Sequence, residues 1–146
     1  MSTSTINSEE QVVVFRLDGE SYGIDIFRIH EIIRMREITP VPGTDEHIRG
    51  LVNLRGKTIP VVDLKSRFGQ LASDHTDTTR IIVVESAQGN VGIIVDEVRE
   101  VRTLAGEDVE NAPALATTDA TDFVRGVAKD SDTLVTLLDL DRLLAA

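Results

Sequence analysis

The chain repeats itself when it is aligned with its own sequence at an offset of about 70 residues. In a first block, Tyr22–Ile32 matches Val91–Val101, with a glycine and an isoleucine after the first residue of each copy. In a second block, Ile48–Leu64 matches Val124–Leu140, with the same separation between an Arg-Gly pair and an Asp-Leu pair. Because both blocks recur in the same order, the sequence predicts two similar structural units in one chain.

Each copy is rich in residues that favour β-strands. Asp18-Gly19 lies between two such runs and predicts a β-hairpin over residues 12–26. Pro60 has no N–H to donate to a sheet, so its strand is predicted to lie at an edge, to begin there or to carry a bulge. Further strands are predicted at 29–35, 49–54, 58–62, 80–86, 90–95 and 97–102, the last from alternating apolar and polar residues.

Two short helices are predicted from their capping residues. Asp63 begins one helix, which Gly69 ends, and Asp139 begins the other near the C-terminus. Residues 1–10 are small and polar without periodicity, which predicts a disordered tail before the ordered domain. Residues 104–122, rich in Ala, Thr, Asp and Gly, are predicted to form a connection with at most a helical turn.

The predicted fold class is all-β. Each repeat supplies about five strands and one short helix, and a small sheet avoids exposed edges by closing into a barrel. Residues 11–146 are therefore predicted to form one domain made of two small barrels, from units at about 15–69 and 80–144. One larger β-sandwich with similar strands is the alternative.

Composition excludes several classes of function. The 25 acidic and 15 basic side chains give a net charge of −10, which repels nucleic acid and anionic lipid. There is no cysteine, so no disulfide or Cys-ligated metal is expected, and a reducing compartment such as the cytosol is compatible. No signal peptide and no membrane-spanning run is predicted.

A phosphate-binding loop is the first chemical alternative, because Gly56-Lys57-Thr58 resembles the end of one. Such a loop needs four residues between its glycines, whereas five separate Gly50 from Gly56. A hairpin turn at Arg55-Gly56 accounts for the same residues. A small nucleotide-binding protein that uses this turn stays as the alternative from a different class.

No catalytic residue, metal site or cofactor is predicted. His30, His47 and His75 lack the spacing of a zinc or calcium site. Ser66 could join His75 and Asp77 in a triad, but no GxSxG motif is present. Acidic pairs at turns and helix starts are predicted to cap backbone N–H groups rather than to act as general acids and bases.

Residues 48–69, IRGLVNLRGKTIPVVDLKSRFG, resemble the signature segment of the CheW family. FRLDGESYGIDIFRIHEIIR, VGIIVDEV and VRGVAKDSDTLVTLLDL are similar to other parts of the same family, so the resemblance extends from Val12 to Leu144. It implies two intertwined five-stranded SH3-like β-barrels with short helices, in which the ends of the two repeat units interleave around a shared apolar core.

The resemblance also implies a function. Members of the family are non-enzymatic scaffolds that link transmembrane chemoreceptors to the histidine kinase CheA, so the chain is expected in the cytoplasm, recruited to membrane-associated receptor arrays. Receptor signalling tips, which are helical hairpins, dock near the groove between the barrels. CheA regulatory domains alternate with CheW copies in rings. A related adaptor for pili, biofilm or surface sensing is the alternative within the family.

The resemblance implies a receptor-binding set, which consists of Ile29, Glu31, Ile32 and Arg55. Glu31 is expected to face solvent beside exposed aliphatic residues, where a partner could contact it. Aliphatic side chains would receive the apolar stripe of a receptor helix, and Arg55 could bind a receptor carboxylate. Ile29 and Ile32 as barrel core, and Arg55 as a cap of its own turn, are the alternatives.

A kinase-binding surface is expected around Ile38, Val41, Pro42 and Leu51. In the second repeat, the residues AKDSD replace NLRGK, so that turn is expected to be longer or more polar. It has no equivalent of Arg55, and a single receptor site per chain is therefore expected.

Overall fold

The computed structural model describes residues 9–43, 48–68, 75–87, 89–111, 123–130 and 133–144. The strands there are β1 Glu9–Leu17, β2 Glu20–Asp25, β3 Ile29–Arg34, β4 Ile48–Leu54, β5 Lys57–Asp63, β6 Arg80–Ser86, β7 Gly89–Val95, β8 Glu97–Ala105, β9 Val109–Asn111, β10 Val124–Asp130 and β11 Thr133–Leu138. The helices are α1 Leu64–Arg67 and α2 Leu140–Leu143, and 3-10 turns occupy Ile26–Arg28 and Gly106–Asp108.

Two tight turns organise the hairpins, and both were predicted. Asp18 and Gly19 have φ values of 52° and 84°, and Arg55 and Gly56 have φ values of 52° and 86°. Positive φ at both central residues is the type I′ geometry, whose twist matches that of the flanking strands. Residue Leu17 consequently pairs with Glu20, at the end of the first hairpin.

The strands form two sheets, in the orders β8-β1-β2-β11-β10-β9 and β3-β6-β7-β5-β4. Each sheet surrounds an aliphatic core of its own, so two barrels form rather than one sandwich, and the predicted fold class is confirmed. The first sheet has six strands instead of five, because the short β9 lies in the stretch predicted as a connection. The two cores consist of Val12, Val14, Leu104, Ala128, Val135 and Leu137, and of Ile33, Val52, Leu54, Ile59, Val61, Ile81, Val83 and Ile94.

The compact units do not coincide with the sequence repeats. One unit contains residues 1–27 and 99–146, and the other contains residues 28–98. The first repeat's β2 pairs in parallel with β11 of the second repeat, and β7 of the second pairs in parallel with β5 of the first. Each sheet therefore combines strands from both repeats, and the repeat boundaries themselves stay a prediction.

Both helices begin as predicted. The Asp63 carboxylate accepts hydrogen bonds from the N–H groups of Lys65 at 3.0 Å and Ser66 at 3.4 Å. At the equivalent position, the Asp139 carboxylate accepts from the N–H of Arg142 at 3.2 Å. A carboxylate at this position satisfies N–H groups that have no partner within the helix. Gly69, the predicted end of α1, lies outside the described residues.

Pro60 does not lie on an edge strand, because β5 has β4 on one side and β7 on the other. Pairing with β7 starts only at Val61. On the other side Pro60 pairs with Leu51, whose N–H and C=O instead bond to Thr39 at 2.9 and 2.8 Å. Neither β4 nor β7 requires a backbone N–H from Pro60, which explains how an interior strand accommodates a proline.

Two other predictions need correction. Glu9 and Glu10 of the predicted tail belong to β1, and Glu10 forms an ion pair with Arg125. Residues 1–8 of the predicted tail lie outside the described residues. The predicted alternation in β8 is also wrong. Val101 is 52% exposed, because Val98 and Val101 are three residues apart and so point to opposite faces of a strand.

Gly50 gives a test of the packing around β4. It has a φ of +147°, and a Cβ there would lie 2.2 Å from the carbonyl oxygen of Thr39. Gly56, with a φ of +86°, has nothing within 4 Å of such a Cβ. Gly50→Ala is therefore expected to lower the free energy of unfolding by roughly 3 kcal/mol and Gly56→Ala by about 1 kcal/mol, in urea unfolding. Equal losses would contradict the close contact with Thr39.

Candidate functional site

β3 is an edge strand of the five-stranded sheet, and it carries three of the four residues predicted to face a receptor. Its register with β6 shifts between Ile29 and Glu31, so His30 is an extra residue without a directly paired partner. A bulge of this kind resets the alternation of side chains between the two faces of a strand. The face to which Ile29 points therefore does not follow from simple alternation with the residues after His30.

Ile29 and Ile32 lie on the face of the sheet opposite to its core cluster. They pair directly with Val84 and Ile82, which alternate with the cluster residues of β6 and are themselves fully buried. Ile32 is 40% exposed and Ile29 is half-buried. The alternative of a core position is therefore wrong for Ile32, and for Ile29 it stays a prediction.

Glu31 lies on the opposite face from Ile32. It pairs with Val83 and shares its side of β3 with Ile33, both of which are core residues, and its side chain is 25% exposed. Glu31 is therefore partly exposed, but it does not share a face with the exposed Ile32, because neighbouring residues of a strand point to opposite faces.

Arg55 forms an ion pair with Glu31. A guanidinium nitrogen of Arg55, in the turn between β4 and β5, donates a hydrogen bond to the Glu31 carboxylate. This hydrogen bond lowers the pKa of Glu31 and raises the pKa of Arg55 from their ordinary values. The pair therefore stays charged around neutral pH, with the Arg55 side chain 68% exposed.

The same contact links the two edges of the sheet. Glu31 is on β3 and Arg55 follows β4, and these are the first and last strands in the sheet order. Arg36, just after β3, also donates to the backbone oxygen of Asn53 on β4 at 3.0 Å. Two arginines thus form exposed contacts across the seam between β3 and β4, where the sheet closes into a barrel.

Asn53, rather than Arg55, caps the hairpin turn. Its side-chain oxygen accepts a hydrogen bond from the N–H of Gly56 at 3.0 Å. The interpretation of Arg55 as a cap of its own turn is therefore wrong. Because Gly56 donates to Asn53, and Lys57 and Thr58 are the first residues of β5, this segment also lacks the geometry of a phosphate loop.

The residues predicted to face the kinase lie around the outer strand β4. Thr39 pairs with Leu51 through two backbone hydrogen bonds, which bring the predicted loop to this strand. Ile38 packs on the core of its unit, whereas Leu51 and Val41 are half-buried and Pro42 is exposed. Leu51 alternates with the core residues of β4, so its side chain points outward.

Several features were not predicted. Phe27 is 82% exposed in the 3-10 turn before β3, a position for which strand and turn patterns carry no signal. Asn53 could have been identified, because an Asn two residues before the Arg-Gly turn lies at the distance for a side-chain cap. In the second repeat, Asp130 pairs with Thr133, and residues 131–132 of the turn between them lie outside the described residues.

The described residues contain no group of three or more histidines, aspartates and glutamates that could hold a metal ion. His47 lies outside them. In the same part of the chain, no helix is long and apolar enough to cross a membrane.

Comparison with known proteins covers nearly the whole chain. Residues 11–146 match the family model described as a CheW-like domain. The chain is 34% identical to the chemotaxis protein CheW of Klebsiella aerogenes, over 94% of this chain and 82% of the relative. It is 32% identical to the chemotaxis protein CheW of Bacillus subtilis, over 97% of this chain and 91% of the relative.

Among solved structures, the crystal structure of the scaffolding protein TtCheW from Thermoanaerobacter tengcongensis superposes with a TM-score of 0.87. The two chains are 42% identical, and the match covers 95% of this chain and 94% of the other. Family model, sequence relatives and fold agree over the same residues, and the chain belongs to the CheW-like family.

Proposed function

We propose that this chain is a non-enzymatic scaffold that couples transmembrane chemoreceptors to the histidine kinase CheA. The observation that carries the proposal is the CheW-like match over residues 11–146. In this role the chain acts in the cytoplasm and is recruited to membrane-associated receptor arrays, where it binds proteins and catalyses no reaction.

The proposed receptor surface centres on β3. Ile32, which is 40% exposed, and the half-buried Ile29 offer an aliphatic pair on one face of β3, which suits the apolar stripe of a receptor helix. Glu31 holds Arg55 at the closure of the barrel. A guanidinium has five N–H donors, so Arg55 can retain Glu31 and still bind a carboxylate on the receptor. Glu31 is a positioning residue in this arrangement.

The proposed kinase surface lies along β4. Leu51 points outward beside Val41 and Pro42, and Ile38 anchors this loop by packing on the core. The backbone bonds between Thr39 and Leu51 hold the loop in place. A CheA regulatory domain binds here, and further copies of the chain alternate with such domains in rings.

Capture of both partners tests the proposal. The chain, immobilised on beads, is expected to retain a chemoreceptor signalling tip and a CheA regulatory domain from the same organism, because the proposed surfaces consist of different residues. Retained protein is measured by quantitative gel analysis, with an unrelated helical hairpin as the control. Folded chain that retains neither partner would rule out the coupling function.

Ile32→Thr tests the aliphatic surface. Threonine keeps the branched Cβ that suits a strand but places a hydroxyl where the receptor helix would pack. Receptor binding is expected to weaken roughly fivefold in calorimetry, while the free energy of unfolding changes by no more than about 0.5 kcal/mol. Leu134→Thr is the control, since Leu134 is 61% exposed on β11. Equal weakening by both variants would contradict the assignment of Ile32.

Arg55→Ala tests the charged part of the surface. Receptor binding is expected to weaken roughly tenfold, because a charge-assisted hydrogen bond is lost. The thermal midpoint is expected to stay unchanged, since exposed ion pairs contribute little to folding. Lys129→Ala removes an exposed cation from β10 and serves as the control. A large fall in the thermal midpoint of Arg55→Ala would show that the ion pair with Glu31 is structural.

A further inference from the structure

A polar cleft lies within the unit that contains residues 1–27 and 99–146. It is built on four strands in adjacent positions of the six-stranded sheet, β8, β1, β2 and β11. The cleft has a volume of about 140 Å³. Its polar lining comes from Arg16, Ser21, Arg99, Glu100, Arg102 and Thr133.

The cleft is the open end of the first barrel. Its floor is formed by Val14 and Val135, which belong to the core of that barrel. Arg16 lies two residues after Val14, and Thr133 lies two residues before Val135. Because side chains alternate along a strand, both point to the same side of the sheet as these valines. Ser21 pairs directly with Arg16 across the β1–β2 hairpin. A polar rim therefore surrounds an apolar floor.

The charge of this rim is opposite to that of the chain. Three arginines and one glutamate line the cleft, whereas the whole chain has a net charge of −10. Arg102 lies two residues before the core residue Leu104 and so shares the inner face with Arg16, whereas Arg99 points to the other face of β8. The carboxylate of Glu100 accepts a hydrogen bond from Nε of Arg102 at 2.7 Å and orients that guanidinium. Two guanidinium groups against one carboxylate give this side of the cleft a positive charge, which attracts an anion.

The shape of the rim distinguishes between anions. A carboxylate has two oxygens in one plane, which a single arginine can bind through two parallel hydrogen bonds. Here the arginines lie on β1 and β8, while the hydroxyls of Ser21 and Thr133 lie on β2 and β11. Donors on four strands suit an anion whose oxygens point in several directions. The volume is also smaller than the roughly 300 Å³ typical of pockets for larger organic ligands.

We propose that this cleft binds a phosphate group, either as inorganic phosphate or as the phosphate of a small phosphomonoester. Arg16 and Arg102 bind its oxygens from neighbouring strands, and the hydroxyls of Ser21 and Thr133 donate from the other side. The site is distinct from the proposed receptor and kinase surfaces, whose residues all lie within residues 28–98.

Titration with anions at constant ionic strength tests the proposal. Sodium phosphate is expected to shift the amide NMR signals of β1, β8 and β11 in a saturable manner, whereas sodium chloride and sodium succinate are not. O-phosphoserine distinguishes the source of the phosphate. Tighter binding of O-phosphoserine than of inorganic phosphate supports a phosphomonoester ligand, and equal or weaker binding supports free phosphate. Equal shifts with phosphate and chloride, or tighter binding of succinate, would overturn the proposal.

Substitution in the cleft provides the second part of the test. Arg16→Gln is expected to weaken phosphate binding roughly tenfold, because it removes charge-assisted hydrogen bonds. Arg34→Gln is the matched control, since Arg34 is also an exposed arginine on a strand but lies on β3. If Arg16→Gln fails to fold by circular dichroism, Arg102→Gln replaces it. Unchanged phosphate binding in a folded cleft variant, or an equal loss in Arg34→Gln, would overturn the proposal.

Discussion

Two parallel strand pairs, each joining a strand of one repeat to a strand of the other, are the constraint on which this fold depends. β2 of the first repeat pairs with β11 of the second, and β7 of the second pairs with β5 of the first. Parallel neighbours cannot be joined by a tight hairpin, so each pair brings together segments that are distant along the chain. Neither repeat can complete its own sheet: the six-stranded sheet combines strands from both ends of the chain, whereas the five-stranded sheet lies within residues 28–98.

Equivalent arginines of the two repeats form ion pairs with different carboxylates. In each repeat, the strand that contains the Arg-Gly pair has a shift of register beside the glycine. The arginine then forms an ion pair, Arg49 with Asp63 in the first repeat and Arg125 with Glu10 in the second. Asp63 also caps α1, so one buried carboxylate connects a helix start to a neighbouring strand. This double use explains why a charged residue is tolerated there.

The candidate receptor surface depends on the closure of the second barrel. Glu31 was expected to face a partner together with Ile32, because both lie in one short β-rich run. Because neighbouring residues of a strand point to opposite faces, Glu31 instead points toward the seam between β3 and β4, where it binds Arg55, and the bulge at His30 places Ile29 on the face of Ile32. Ile32 keeps the outer face. The expected residues are therefore the ones present at the surface, but they divide between supporting the barrel and offering an apolar contact.

Features that depend on residues close together along the chain could be predicted from the sequence. The turns at Asp18-Gly19 and Arg55-Gly56 and the helix start at Asp139 follow from φ preferences and from hydrogen bonds that span two or three residues. Because two blocks of sequence recur in the same order, the sequence also predicted two barrels. The family resemblance then selected the residues of the candidate surface.

Three features depend on the tertiary structure: which strands pair across the repeats, which face Glu31 occupies and which arginines share a cleft. Local patterns cannot specify these features, because a bulge of one residue reverses the face of every later side chain on its strand. Pairing between distant strands depends on how side chains pack in both cores. A short stretch of sequence does not contain that information. Arg16 and Arg102 accordingly become neighbours only when β8 takes its place beside β1.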